Sequence, residues 1–297
     1  MSRLVKTRVS VDGRYSDHAG YVAAVHSTSM IYVNILMKGL IRSLLRLFGF
    51  NVATPATSPP KSVRTNTLTY YKTATGNYFL PTDAHQDIVA RAIKTNRIFE
   101  REVVELASRY IKRGTAVLDV GANFGQMSVL FSNLAGDDGR IYSFDADDFI
   151  FEILKKNIVA NKKEGKIIPT FGAVHNVENE TLIFPVQDFK EFGTYGSYGI
   201  DYNAHNGRKV KSITIDSLDI QEPISFMKID IQGGDLQGMQ GAMKTIQKNR
   251  MPILFEYEYL FEERYNMSFQ NYVDFVRDLD YVFKRVVSGH NFLIVPR

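Results

Sequence analysis

Chemistry-bearing residues are densest in Val117-Leu118-Asp119-Val120-Gly121-Ala122-Asn123-Phe124-Gly125, which joins an apolar run to an amphipathic one. Gly121 and Gly125 let the backbone turn sharply and approach a ligand closely. Such a loop at a helix N-terminus is expected to present free backbone N–H groups. In a doubly wound sheet the first crossover is also where nucleotide ligands bind. A dinucleotide fingerprint would read G-x-G-x-x-G, but here Asn123 replaces the second glycine and Asp119 precedes the first. An acid at that point repels a pyrophosphate and suits a ligand with a cationic amino group. The next apolar run ends in Phe144-Asp145-Ala146-Asp147, with Asp145 20 residues past Gly125. A carboxylate there can accept hydrogen bonds from ribose hydroxyls. An amino group plus an unphosphorylated ribose describes S-adenosyl-L-methionine better than NAD. The expected cofactor contacts are Asp119, Gly121, Ala122, Asn123, Gly125, Asp145, Ala146 and Ala173.

These residues must be held by alternating elements. Patterning predicts helices over 83–95 and 97–112, a strand over 116–120, a helix over 124–134 and a strand over 140–144. A helix over 147–161, a strand over 167–173, a strand over 224–229, a helix over 235–247 and a strand over 253–255 continue the series. A last helix over 269–278 precedes two strand-like runs, 281–286 and 291–295, separated by Ser288-Gly289-His290. Such alternation implies a mostly parallel sheet covered on both faces, closed by an antiparallel strand. An insertion over about 174–223 carries two β-like runs, 181–186 and 209–215. Within it, Phe192-Gly193-Thr194-Tyr195-Gly196-Ser197-Tyr198-Gly199 suits a substrate lid, one able to stack on a sugar, or equally a plain surface loop.

From about Phe79 to the C-terminus the sequence resembles the FkbM family of S-adenosylmethionine-dependent methyltransferases. The pieces are Asn96-Arg97-Ile98-Phe99-Glu100, the loop Asp119–Gly125, Ile213-Thr214-Ile215-Asp216-Ser217-Leu218, Phe226-Met227-Lys228-Ile229-Asp230-Ile231-Gln232-Gly233, Gly241-Ala242 and Phe255-Glu256. Gln232 stands where the family usually has Glu, Asp235 where it often has Glu, and Asp145 where Glu is commoner. The resemblance implies a Rossmann-like class I methyltransferase fold: an α/β, mostly parallel seven-stranded sheet with an antiparallel C-terminal strand and helices on both faces. It also implies methyl transfer to the oxygen of a sugar, glycolipid or related metabolite. Asp230, at the C-terminal end of the fourth core strand, is the expected base or substrate-orienting carboxylate, or else a cap for the helix starting near Gly234. Lys228 shares its strand face and either pairs with Asp230 or holds a substrate oxygen. Glu256 is the third catalytic candidate. It shares a face with Glu258, and such a pair could hold a divalent ion, although Gln232 removes one possible ligand and no metal site is expected. His175, His205 and His290 read as packed or surface residues, with His290 able to reach the site rim.

Charge separates the chain into two regions. The 297 residues carry a net charge of +4. Residues 1–65 hold nine Lys or Arg against two acids, which leaves −3 for the remaining 232 residues. Lys38, Arg42 and Arg46 fall at i, i+4 and i+8 beside Leu36, Leu40, Leu44 and Leu47, a basic amphipathic helix over about 30–50. That helix fits either an in-plane contact with anionic lipid or packing with a solvated edge. It lacks a signal-peptide layout, and Met30 is a plausible alternative start. Residues 51–66, with three prolines, read as a linker, so 1–66 form an N-terminal extension and 67–297 the catalytic domain. The expected site of action is cytoplasmic, peripheral at the membrane face. With no cysteine, thiol chemistry, disulfides and Cys-based zinc sites are excluded. Base N-methylation calls for an Asn/Asp-Pro-Pro-aromatic loop after the fourth strand, where this chain has Asp230-Ile231-Gln232-Gly233. No nucleic-acid partner is therefore expected. A non-catalytic cofactor-binding or scaffold protein, a nucleic-acid methyltransferase and an NAD-dependent oxidoreductase are the alternatives.

Overall fold

The computed structural model describes residues 67–185, 194–204, 206–287 and 289–297. The expected basic helix, the linker and His205 lie outside the described residues, as do Phe192 and Gly193.

The central sheet grows from runs buried along their length. Strand β3 (Ala116–Val120) is buried at every position, as expected of a strand with helices on both faces. It pairs in parallel with β4 (Arg140–Asp145) on one side and β9 (Ile224–Ile229) on the other. β5 (Ile167–Phe171) extends the sheet beyond β4, and β10 (Ile253–Glu256) beyond β9, both parallel. The last hairpin, β11 (Tyr281–Val287) and β12 (Asn291–Pro296), returns so that β12 inserts antiparallel beside β10. The order is β5-β4-β3-β9-β10-β12-β11, seven strands with one reversed, which is the class I arrangement anticipated from sequence.

Helices α1 (Ile88–Lys94), α2 (Arg101–Ala107), α3 (Gln126–Ala135) and α4 (Asp148–Ala160) follow the expected order. α5 (Asp235–Gln240) and α6 (Met243–Asn249) correct the single helix expected over 235–247. The interruption is Gly241, packed so closely on His175 that a β-carbon would lie 1.9 Å from the His175 carbonyl oxygen. The run expected as one strand over 167–173 also divides. β6 (Ala173–Val174) leaves the main sheet to pair with β8 (Gly207–Ile213), which pairs antiparallel with β7 (Thr181–Pro185). The insertion is therefore a separate three-stranded sheet at the carboxyl ends of the core strands. α7 (Glu262–Tyr265) and α8 (Phe269–Asp278) complete the chain before the final hairpin.

A hairpin of β1 (Leu68–Thr73) and β2 (Gly76–Pro81) lay outside the sequence reading. Two asparagines one turn apart, Asn157 on α4 and Asn161 at its C-cap, stitch it down. Asn157 Oδ1 accepts from Phe79 N at 2.6 Å and Asn161 Oδ1 from Asn77 N at 2.8 Å. Asn157 Nδ2 also donates to the Phe124 carbonyl at 2.9 Å, so the hairpin is tied to the glycine loop. Among the described residues no helix is long and apolar enough to cross a membrane.

Candidate active site

The loop after β3 is shaped by its own backbone. Gly121 N and Ala122 N both donate to the Phe144 carbonyl, at 3.0 and 2.8 Å. Asn123 N donates to Asp145 Oδ2 at 2.9 Å, Phe124 N to Asn123 Oδ1 at 2.6 Å and Gly125 N to the Ala122 carbonyl at 2.9 Å. Every backbone N–H from Gly121 to Gly125 is thus used inside the protein, so the free N–H groups expected here fall to the first turn of α3, whose N-cap Gly125 brings no side chain to them. Gly121 has φ +82, and a β-carbon on it would lie 1.9 Å from the Asp230 carbonyl oxygen. The loop is thus pressed against the end of β9.

Around it opens a cleft that gathers most of the expected residues: Gly121, Ala122, Asn123, Asp145, Ala146 and Ala173 on one side, Lys228, Asp230 and Glu256 on the other. Apolar Phe144, Ala146, Ala173 and Val174 line the first side, a surface that suits a flat heteroaromatic ring. Asp145 is pinned by Asn123 N and Asp147 N, both at 2.9 Å. Burial, followed by the neighbouring Asp147 charge, pushes its carboxyl up to about 7.

Asp119 is the principal correction. It lies wholly buried beneath the loop instead of lining the cleft. Its Oδ2 accepts from Ser128 Oγ at 2.5 Å, and its Oδ1 is buried without a hydrogen-bond partner. The reason is register: Asp119 stands beside Lys228 in the β3–β9 ladder, on the face covered by α3. Burial raises its carboxyl. Gly125, also outside the cleft lining, serves the turn itself.

The acceptor end is a network. Lys228 Nζ donates to Asp230 Oδ2 at 3.2 Å and to the Gly121 carbonyl at 3.4 Å, so one buried ammonium joins the loop to β9. Burial alone would lower Lys228, but Asp230, Asp119 and Glu100 surround it and raise it. Burial would likewise raise Asp230, yet the Lys228 charge holds it below the ordinary carboxylate range. Glu256 goes the other way. Burial, with Asp230 and Asp235 nearby, pushes it up to about 11, which keeps it protonated at neutral pH and hydrogen-bonded to Asp230. Asp235, entirely buried, accepts from Glu256 N at 3.1 Å and Ile231 N at 3.4 Å, fixing the β9–α5 turn to β10. Glu258 also lines the cleft.

Four participants were not singled out from sequence. Glu100 lines the cleft from a left-handed backbone (φ 46) and accepts from Asn291 Nδ2 at 3.1 Å. Gln126 positions that segment, its Oε1 accepting from Phe99 N at 2.9 Å and its Nε2 donating to the Arg97 carbonyl at 3.0 Å. Gln232 was noted only for its departure from the family pattern; its amide reaches Asp230 and Glu256. His175, read as a packed or surface residue, lines the cleft with Nε2 2.5 Å from the Tyr202 hydroxyl. Its Nδ1 accepts from Val177 N at 3.2 Å, so the ring proton sits on Nε2 and is donated to Tyr202. His290 is exposed and outside the cleft lining. Glu100 and Gln232 carry the sequence-visible hints, their places in the Asn96–Glu100 and Phe226–Gly233 segments; Gln126 and His175 have no local signature.

Residues 194–200 cross the cleft as a strap. Tyr195 N donates to Asp87 Oδ2 at 2.7 Å, and Tyr265 Oη donates to the Ile200 carbonyl at 2.8 Å. Between these ties Gly199 passes so near the acceptor loop that a β-carbon would lie 2.9 Å from the Ile231 and Gln232 carbonyl oxygens.

Fold, loop and cleft together define a Rossmann-like class I methyltransferase whose cofactor is S-adenosyl-L-methionine. The chain belongs to the FkbM methyltransferase family: the family model described as the methyltransferase FkbM domain matches residues 119–283, more than half of the chain. A curated relative, the ribosomal protein L11 methyltransferase of Dictyoglomus turgidum, is 36% identical over 61 residues, 20% of each chain. Among solved structures, a methyltransferase FkbM from Methylobacillus flagellatus aligns at 14% identity with a TM-score of 0.42, over 65% of this chain and 50% of that one. A candidate rRNA methylase from Clostridium thermocellum aligns at 12% identity with a TM-score of 0.42, over 65% of this chain and 92% of that one. The matched segments thus span a fifth of the curated relative and half of the FkbM structure.

Proposed function

We propose that the protein methylates a hydroxyl group of a neutral sugar, glycolipid or related metabolite. The observation that carries this reading is Asp230, paired with Lys228 at 3.2 Å and facing the cleft beside Glu256 where the glycine loop meets β9. When bound, S-adenosylmethionine supplies a methyl group on a sulfonium that leaves as a neutral thioether. The protein's task is to align the acceptor oxygen and receive its proton. Asp230 accepts the hydrogen bond of the acceptor hydroxyl and takes the proton as the new C–O bond forms. Protonated Glu256 donates a hydrogen bond into the same corner, and Lys228 keeps Asp230 charged and in place. Cofactor contacts fall to Gly121, Ala122, Asn123, Ala146 and Ala173, with Asp145 on the ribose hydroxyls. The acids Glu100, Asp230, Glu256 and Glu258 share the acceptor end with one buried lysine, an environment that disfavours a phosphorylated acceptor. The positive charge concentrated in residues 1–65 supports an acceptor met at an anionic membrane surface.

The test uses the full chain with methyl-labelled S-adenosylmethionine, offered neutral glycolipids and sugars in one set of reactions and RNA in another. Label is expected in the first set. The Asp230→Asn variant should bind S-adenosylhomocysteine in calorimetry but transfer no methyl. Transfer to RNA alone, or an Asp230→Asn variant as fast as the parent, refutes the reading.

A further inference from the structure

The side chain at 232 sits where two catalytic carboxyl groups meet. Gln232 Nε2 donates to Asp230 Oδ1 at 3.0 Å and to Glu256 Oε2 at 2.9 Å. One amide therefore spans groups delivered by different strands, β9 and β10. Its backbone has φ 57, a left-handed conformation that is costly for a residue with a β-carbon and free for glycine. The strap closes over it: a β-carbon on Gly199 would lie 3.0 Å from Gln232 Cβ. A strained backbone at a functional site persists when surrounding contacts over-determine it, and here those contacts are the two amide bonds and the strap.

We propose that Gln232 is a positioning residue of the reaction. Its amide orients the Asp230 carboxylate to accept the substrate proton and ties Glu256, on β10, to the same corner. The inference rests on the reading of Asp230 as proton acceptor. An amide is suited to the place because it donates without carrying charge. A carboxylate at 232 would add a second negative charge beside Asp230, in a corner where Lys228 is the cation. The charged and titratable groups facing the pair from the surrounding elements are Lys228 on β9, Asp119 on β3, Glu100 ahead of α2, Asp235 on α5 and Glu258 after β10. All of them remain in the variants below, so any change reports the amide.

The titration needs no acceptor; the methyl-transfer control uses the hydroxyl acceptor found in the test above. The full chain labelled with [γ-13C]aspartate is titrated by 13C NMR, with the Asp230 signal identified by its loss in Asp230→Asn. Gln232→Gly removes the bridge while relieving the left-handed backbone, and thermal melting is expected to show it folded. Gln232→Met keeps the length of the side chain and removes the donor without adding a charge. In both variants the Asp230 midpoint should rise by about one pH unit or more, as loss of a hydrogen bond to a charged group predicts. A midpoint unchanged in both overturns the proposal. Methyl transfer by Asp230→Asn separates the layers. If that variant is inactive while the midpoint stays put, the bridge alone falls; if it is active, the proton-acceptor reading falls and takes the proposal with it.

Discussion

Gly121→Ala is the most exacting perturbation of the site, because its cost divides into two separately measurable parts. At φ +82 an alanine pays about 1–2 kcal/mol for a left-handed backbone. Its β-carbon would then lie 1.9 Å from the Asp230 carbonyl oxygen. That oxygen belongs to backbone held by β9, so it yields only if the loop or the strand end moves, an overpacking cost of about 1–3 kcal/mol. Gly114 isolates the first part, since it has φ +77 with nothing within 4 Å of the added carbon. Taking about 2–4 °C per kcal/mol for a domain of this size, Gly121→Ala should melt roughly 10 °C below the parent, and Gly114→Ala only about 2–8 °C below. Differential scanning calorimetry gives both values. Isothermal titration with S-adenosylhomocysteine adds the functional half, because a displaced loop no longer faces Asp230. Binding should be lost in Gly121→Ala and kept in Gly114→Ala. Equal melting of the two variants to within about 2 °C, with cofactor binding intact in both, would refute the claim that the loop is wedged against the end of β9.

Asp145→Asn should weaken S-adenosylhomocysteine about tenfold or more by calorimetry, the cost of a lost hydrogen bond to a charged acceptor. The same variant should melt higher at pH 8. With its folded-state value raised to about 7 from 3.8, Asp145 subtracts stability as pH rises through that interval, so the gain should vanish below pH 4. Lys228→Met leaves Asp230, Asp119 and Glu100 without their cation, an expected loss of about 3–5 kcal/mol. That loss should shrink in acid as the carboxyls protonate, and thermal melts across pH check the trend. Asp87→Ala removes the cap that Ala90 N donates to at 2.7 Å and the anchor of Tyr195 N at 2.7 Å. A loss of about 1–2 kcal/mol is expected for the cap alone, and limited proteolysis should cut the strap first. Asp87→Asn, with one amide oxygen in place of two carboxylate oxygens, should recover only one of them.

What was legible in sequence follows the range of the interaction involved. The β9 bounds Ile224–Ile229 and the α8 bounds Phe269–Asp278 match the patterned runs, because periodicity records which face of a single element is buried. The Asp119–Gly125 loop was legible for the same reason, as a sharp turn needs its glycines locally. The β1–β2 hairpin was not, since what stabilises it is Asn157 and Asn161 on a helix some eighty residues away. The break before α6 also depends on a distant partner, the His175 carbonyl packed on Gly241. Among the candidate site residues, the position of Asp145, Lys228, Asp230 and Glu256 along the cleft was legible because strand ends converge on one edge of a parallel sheet. Glu100, Gln126, His175 and the bridging role of Gln232 depend on which loops fold over that edge.

The burial of Asp119 shows how an acid ahead of the glycine loop acts in this fold. Such an acid reads as a charge aimed at the ligand. In the fold it is buried beside Ser128 and Lys228, and its effect is exerted through the lysine. Lys228 needs carboxylates to stay buried as a cation, and as a cation it holds Asp230 ionised while gripping the Gly121 carbonyl. The loop is held from its other side by its own N–H groups, donated from Gly121 to Gly125 to Phe144, Asp145, Asn123 and Ala122. The turn is therefore fixed by its own backbone, and the lysine ties that fixed turn to the charge of Asp230.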